Sequence, residues 1–310
     1  MRNSDEEKLR RLVSEMLEED DDERRSVLAD SVLEMDPNNG LARYAKWQSI
    51  KDEESMTDTT LLREAAALLR PDIENPDEYD GDGDMLYSIY LSILSDLASY
   101  SYLIGDRSGA FEAASEFMKL DRDGGAIGRT VYFASLAERG DFKKLLSAVE
   151  DDICETPSGE YCRAIAAFET AGSGNEAADY LANAISLDPE LPYYILELRS
   201  IEEDLSDDGD DYAGEFVLIV MILSELWSET GDRLAFFSAV AFAFGYLTRR
   251  MDDSGDLTML EQTYRDAGCL EDMREARDIL DAMLAGGREQ REVDDEALSM
   301  LQEAGYFGLV

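Results

Sequence analysis

Carboxylates dominate the side chains that could do chemistry. Asp80, Asp82 and Asp84 alternate as the first, third and fifth ligands of a calcium-binding loop would. In such a loop the sixth position needs glycine for its sharp turn and the twelfth a bidentate glutamate. Here those positions are Met85 and Leu91, so no calcium loop is expected. The acidic runs at 207–211 and 252–256 fail the same test and read as solvated loops. Two carboxylates across a cleft, one with a raised pKa, would suit glycoside hydrolysis, but among 71 acids spacing singles out no pair. The chain has no histidine, which removes imidazole acid–base work, Ser-His and Cys-His nucleophiles and imidazole metal ligation. Its cysteines, Cys154, Cys162 and Cys269, are odd in number and match no metal or redox spacing. The glycine-rich stretch 124–128 follows a helical pattern rather than a strand, and no phosphate-cradling loop or nucleophile elbow occurs. No catalytic residue, cofactor or metal is therefore expected, and the chain reads as a non-enzyme.

The charge balance narrows the partners. Against the acids stand 28 bases, giving a net charge of −43. Nucleic-acid phosphates need cations, and anionic membrane surfaces repel the same charge. A neutral or basic protein or peptide is the easier partner. An excess of arginine over lysine (22 against 6) also fits a proteome-wide acidic habit in a salt-tolerant cell. Reduced cysteines, and an N-terminus that runs straight into charged residues without an apolar signal region, point to the cytoplasm.

The elements that must position these side chains are helices. Apolar residues fall at helical spacing through most of the chain, and strand-like alternation is nearly absent. Over 1–70 the pattern gives divergent helical hairpins, with Leu9, Leu12, Val13, Met16 and Leu17 on the first helix and a stop at Asp36-Pro37-Asn38-Asn39-Gly40. A helix at 59–69 should end at Arg70-Pro71, and 71–84 reads as an acidic linker. The core, 85–250, carries Gly105-Asp106, Gly140-Asp141 and Gly174-Asn175, spaced 35 and 34 residues apart, and a later Gly231-Asp232. After each turn, small and apolar residues recur: Ala110, Ala114 and Phe117, then Leu145 and Val149, then Ala177, Leu181 and Ala184. The apolar segments 212–227 and 233–249 read as a buried central helix pair. Each is shorter than the roughly 20 residues that a bilayer demands, so no membrane span is expected. Three helices at 257–267, 270–284 and 294–304 and an apolar tail, 305–310, complete the chain as a C-terminal cap. The tail folds back on that cap or docks into a second copy, which would make a homodimer.

This period resembles the tetratricopeptide repeat over 85–250, with Pro189 where that repeat ends. The ending Leu187-Asp188-Pro189-Glu190-Leu191-Pro192-Tyr193-Tyr194-Ile195-Leu196 resembles that of the suppressor-of-tumorigenicity-7-like proteins and their bacterial relatives. Leu69-Arg70-Pro71-Asp72-Ile73-Glu74-Asn75-Pro76 and Gly128-Arg129 add to the likeness. The resemblance implies an all-α, right-handed superhelical solenoid of tetratricopeptide-like hairpins. It also implies a scaffold or adaptor that binds protein or peptide on its concave face. Extrapolated, that face presents Ser95, Ser99 and Tyr102, then Thr130, Ala134 and Glu138, then Cys162, Ala166 and Glu169, with Arg163 at the border. It lacks the Lys and Asn of a carboxylate clamp, so acidic C-terminal tails are not expected to bind. The alternative is a small-ligand binder or enzyme with acidic residues between the repeat core and the 212–249 pair.

Overall fold

The computed structural model describes residues 2–50, 58–73, 82–121, 127–152, 154–201, 211–251 and 270–303. Among the described residues there are fifteen helices and no strand. By contacts the chain divides into two compact units, 1–132 and 133–310. The boundary falls inside the stretch read as the repeat core.

The first unit holds α1 (Arg2–Leu17), α2 (Asp22–Met35), α3 (Gly40–Ile50), α4 (Thr60–Ile73), α5 (Asp82–Leu103), α6 (Arg107–Leu120) and the start of α7 (Ile127–Glu138). From α1 to α6 each helix packs on the next, as one-faced amphipaths in short-looped hairpins must. Met16, Ala29, Val32, Ala42 and Ala45 form one buried cluster. Trp47 stacks on Tyr44 and meets Tyr100 edge-on, with ring centroids 6.0 and 4.9 Å away. The Tyr44 hydroxyl donates to Asp96 at 2.8 Å. Helix α4 runs past the expected stop at Pro71 as far as Ile73. Pro71 has no N–H to give the carbonyl four residues back, and the extension beyond it buries Ile73 to 3 % exposure.

The turns show how the hairpins are encoded. Gly105 and Gly140 take positive φ, 80° and 68°, a conformation that glycine adopts without strain. Their N–H groups donate to the carbonyls of Tyr102 and Ala137, both at 3.0 Å. The following aspartates donate their N–H to Ser101 and Leu136, at 2.9 and 3.0 Å. Both pairs thus make the same two-bond helix ending. Asp106 then caps α6, its side chain accepting the Gly109 N–H at 3.0 Å. That bond, with the Arg63 guanidinium adding to it, holds the Asp106 carboxyl below the usual carboxylate range.

The second unit holds the end of α7, α8 (Phe142–Glu150), α9 (Pro157–Ala171), α10 (Asn175–Leu187), a short α11 (Leu191–Ile195), α12 (Asp211–Ser228), α13 (Gly231–Thr248), α14 (Leu270–Ala285) and α15 (Gln290–Glu303). Here α9 packs on α8, α10 and α12, and α13 packs on α12, α14 and α15. Ala177, Ala178, Leu181, Ala182 and Ala184 of α10 are buried, where small side chains let two helix backbones approach. Two turns differ in detail from the sequence expectation. Gly172, not Gly174, takes the positive φ of 81°, and Gly174 instead caps α10. Gly231 lies inside α13, because Thr230 accepts the Arg233 N–H at 3.2 Å and so starts the helix two residues before the expected 233. The expected pair 212–249 forms, but unequally. Helix α13 is buried nearly all round from Phe236 to Thr248, whereas α12 leaves Met221 50 % exposed. The expected helix at 257–267 and the tail 305–310 lie outside the described residues. Helix α15 starts four residues ahead of its expected 294.

Candidate functional site

Helix α9 is deeply set in the second unit. Thr156 caps it by accepting the Gly159 N–H at 3.2 Å, and Pro157 fills its first turn, where no N–H is needed. Every residue from Ser158 to Cys162 is buried, as are Ala164 to Ala167. Tyr161 sits against Trp227 of α12 and Phe237 of α13, with centroids 6.4 and 5.8 Å away. Trp227 and Phe237 stack at 4.7 Å. Burial pushes the Tyr161 hydroxyl well above its ordinary pKa, with the negative charge of Asp188 acting in the same direction.

Beside this ring cluster lies a buried cation, Arg233, 3 % exposed. Its Nη2 donates to Glu169 at 2.7 Å, and its Nη1 to Glu229 at 2.8 Å and to the Leu226 carbonyl at 2.5 Å. Cys162 is nearby but inert. Burial drives its thiol up to about 12, although Arg233 pulls the other way, and the nucleophile is the thiolate.

A second set of charges surrounds the segment after α10. Tyr193 is 1 % exposed, and its burial pushes its hydroxyl far up. Arg250 donates from Nε to Glu190 at 2.7 Å and bidentately to Asp294 at 2.6 and 2.8 Å. Gln290 donates to the same Asp294 carboxylate at 2.9 Å, and Arg199 pairs with Glu190. The backbone that aims Arg250 turns at Arg249, which adopts the left-handed conformation at φ 59°. Arg249 bonds Asp281 of α14 and thereby holds that carboxyl below the usual range.

The residues expected on a concave face are placed mostly inside. Ser95, Ser99, Tyr102, Thr130, Ala134, Cys162 and Ala166 are all buried. The Ser95 hydroxyl accepts the Gly128 N–H at 3.1 Å, and Ser99 donates to the Asp96 carbonyl at 3.1 Å. These are small or hydroxyl-bearing side chains that let helices pack closely, and in this packing their surface faces neighbouring helices rather than a partner. Glu138, Arg163 and Glu169 retain contact with solvent. Arg163 lies 4.0 Å over the Tyr180 ring and pairs with Glu160 at 3.3 Å. The carboxylates of Glu169 and Glu190, which reach toward α13 and its C-terminal turn, each meet an arginine.

Among the described residues, no group of three or more His, Cys, Asp or Glu side chains is placed to hold a metal ion. No described helix is long and apolar enough to cross a membrane. The arginine hubs were not legible in the sequence: Arg250 and Asp294 are 44 residues apart, and Arg233 and Glu169 are 64 apart. Comparison with protein-family models, with curated proteins and with solved structures finds no match for the chain.

Proposed function

We propose that the chain is a non-catalytic helical-repeat scaffold of tetratricopeptide type that binds a neutral or basic protein segment, with α14 and α15 as its C-terminal cap. The observation that carries this reading is the repeated hairpin. The Gly-Asp helix ending recurs 35 residues apart with the same hydrogen bonds. After the first of these endings α6 buries Ala110, Ala113 and Ala114, and α10, which follows the Gly172–Gly174 turn, buries Ala177, Ala178 and Ala182. Such modules build surface area rather than a reaction centre. The net charge of −43 supports the sign of the partner, through long-range attraction and through repulsion of acidic competitors. Of the residues assigned to the concave face, Glu138, Arg163 and Glu169 are the ones that a partner reaches without repacking.

A peptide array graded from basic through neutral to acidic tests the reading. Basic and neutral peptides should be retained at low salt and released as salt rises. Retention of acidic peptides alone, or a dissociation constant indifferent to salt, would overturn it.

A further inference from the structure

Three deeply buried phenols in this chain find acceptors. Tyr44, Tyr90 and Tyr193 are each at most 7 % exposed. Their hydroxyls donate to Asp96 at 2.8 Å, to Glu116 at 2.7 Å and to the Ala241 carbonyl at 3.4 Å. A fourth does not. Tyr161 has no exposed surface, yet its hydroxyl meets no hydrogen-bonding group among the described residues. The same holds for the indole Nε1 of Trp227, which is equally enclosed. The two side chains are neighbours in the ring cluster where α9, α12 and α13 meet, with centroids 6.4 Å apart and planes at 87°. Leaving a buried polar atom unpaired costs a fold more than a made hydrogen bond gains it. Native interiors meet that cost with ordered water wherever the protein itself supplies no partner.

The chemistry of these two atoms selects what binds there. The indole N–H only donates, whereas the phenol both donates and accepts. A cation is held by oxygen acceptors, and an indole N–H is the opposite. An anion would enter the negative field of Asp188, which already acts on this hydroxyl. An apolar guest would leave both polar atoms unpaired. A larger polar molecule finds no mouth, because Tyr161, Trp227 and Phe237 are all 0 % exposed. Water is small and neutral, accepts from an indole and exchanges bonds with a phenol in either direction. We infer that ordered water is bound inside the second unit at the Tyr161 hydroxyl and the Trp227 indole N–H. A carbonyl already bonded within a helix keeps a second lone pair with which to complete the water's bonding. Water held there adds polar, directional bonds to a contact that is otherwise built of rings. This site is independent of the adaptor reading.

Two measurements on the full chain test the site, both in a Trp47→Phe background so that Trp227 is the remaining indole. Tyr161→Phe removes the hydroxyl and keeps the ring. A hydrated hydroxyl loses its bonds in that change, so the urea midpoint read by Trp227 fluorescence should fall by about 0.3–1 M. A dry, unpaired hydroxyl burdens the fold, and its removal would instead raise the midpoint. Circular dichroism confirms that the variant is folded. The second measurement leaves Tyr161 in place and needs no substitution at the site. Ultraviolet resonance Raman reads the indole band that responds to hydrogen bonding at the N–H. With Trp227 bonded to water, that band should match indole in water rather than indole in a hydrocarbon solvent. A midpoint that rises or stays in place for Tyr161→Phe would overturn hydration of the hydroxyl. An indole band at the hydrocarbon position would overturn hydration of Trp227, and either result sinks the site as proposed.

Discussion

Replacing Arg250 by methionine puts the interior of the second unit to the test. The guanidinium is nearly enclosed, with its side chain 10 % exposed, and Asp294 is more so at 5 %. Methionine keeps most of the stem packing and removes all three charge-assisted bonds. Asp294 is then left with Gln290 as its remaining donor among the contacts described, while Glu190 retains Arg199. Stranding a buried carboxylate in this way costs about 3–5 kcal/mol. With a urea dependence of about 1–3 kcal/mol per molar, the unfolding midpoint should fall by about 1–5 M. The chain has two tryptophans, one in each unit, so Trp227 fluorescence in a Trp47→Phe background reads the second unit alone. Two controls separate charge burial from general damage. Arg288→Met breaks an exposed pair with Glu292 (side chains 63 % and 48 % exposed) and should cost no more than about 0.5 kcal/mol. Arg250→Met combined with Asp294→Leu removes both charges, and most of the lost stability should return. A midpoint shift below about 0.5 M for Arg250→Met, or a double variant worse than the single one, would refute the argument that an enclosed carboxylate depends on this arginine.

Other outcomes follow from the same packing. A Cβ at Gly245 would stand 2.7 Å from the Tyr193 hydroxyl and 2.7 Å from Met251 Cγ, so Gly245→Ala should destabilise by about 1–3 kcal/mol in urea titrations even though alanine favours helix. Cys162 should resist alkylation in the folded chain and react on unfolding, read by mass spectrometry of its peptide, because its thiol is buried and pushed up to about 12. Raised folded pKa values keep their stabilising effect below the unfolded values and lose it as pH climbs toward the folded ones. Stability should therefore hold below pH 9.0 and erode above it, first through Cys162 and then, above 10.0, through Tyr161 and Tyr193; Tyr161→Phe should blunt the alkaline loss in a pH series of melts. Stability should also rise as salt goes from about 0.1 to about 1 M, since the screening length drops from about 10 to about 3 Å and relieves self-repulsion at −43; a flat response would count against that account.

Local chemistry made part of this fold legible in the sequence. Gly105-Asp106 and Gly140-Asp141 can be read because both halves of each ending lie within a few residues: a left-handed glycine and an adjacent aspartate. The alanines of α6 and α10 follow from the period. The concave face was not legible, because Ser95, Ser99 and Thr130 look like surface residues by type and become buried only when neighbouring helices close over them. Thr230, rather than Gly231, starts α13 because a side-chain cap outweighs the weak helix preference of glycine. The unequal burial of α12 and α13 escaped for a related reason. Both segments are strongly apolar, and composition alone does not tell how many neighbours a helix will acquire.

The left-handed residue at the end of α13 carries a consequence for the chain's connectivity. Because the backbone reverses at Arg249, two successive arginines diverge, one gripping α14 through Asp281 and the other α15 through Asp294. The last hairpin is thus held by clasps independent of the peptide link that leads to it. Severing the backbone between Met251 and Leu270 would leave two fragments that reassociate, and the same point offers a natural seam for building a split reporter from this molecule.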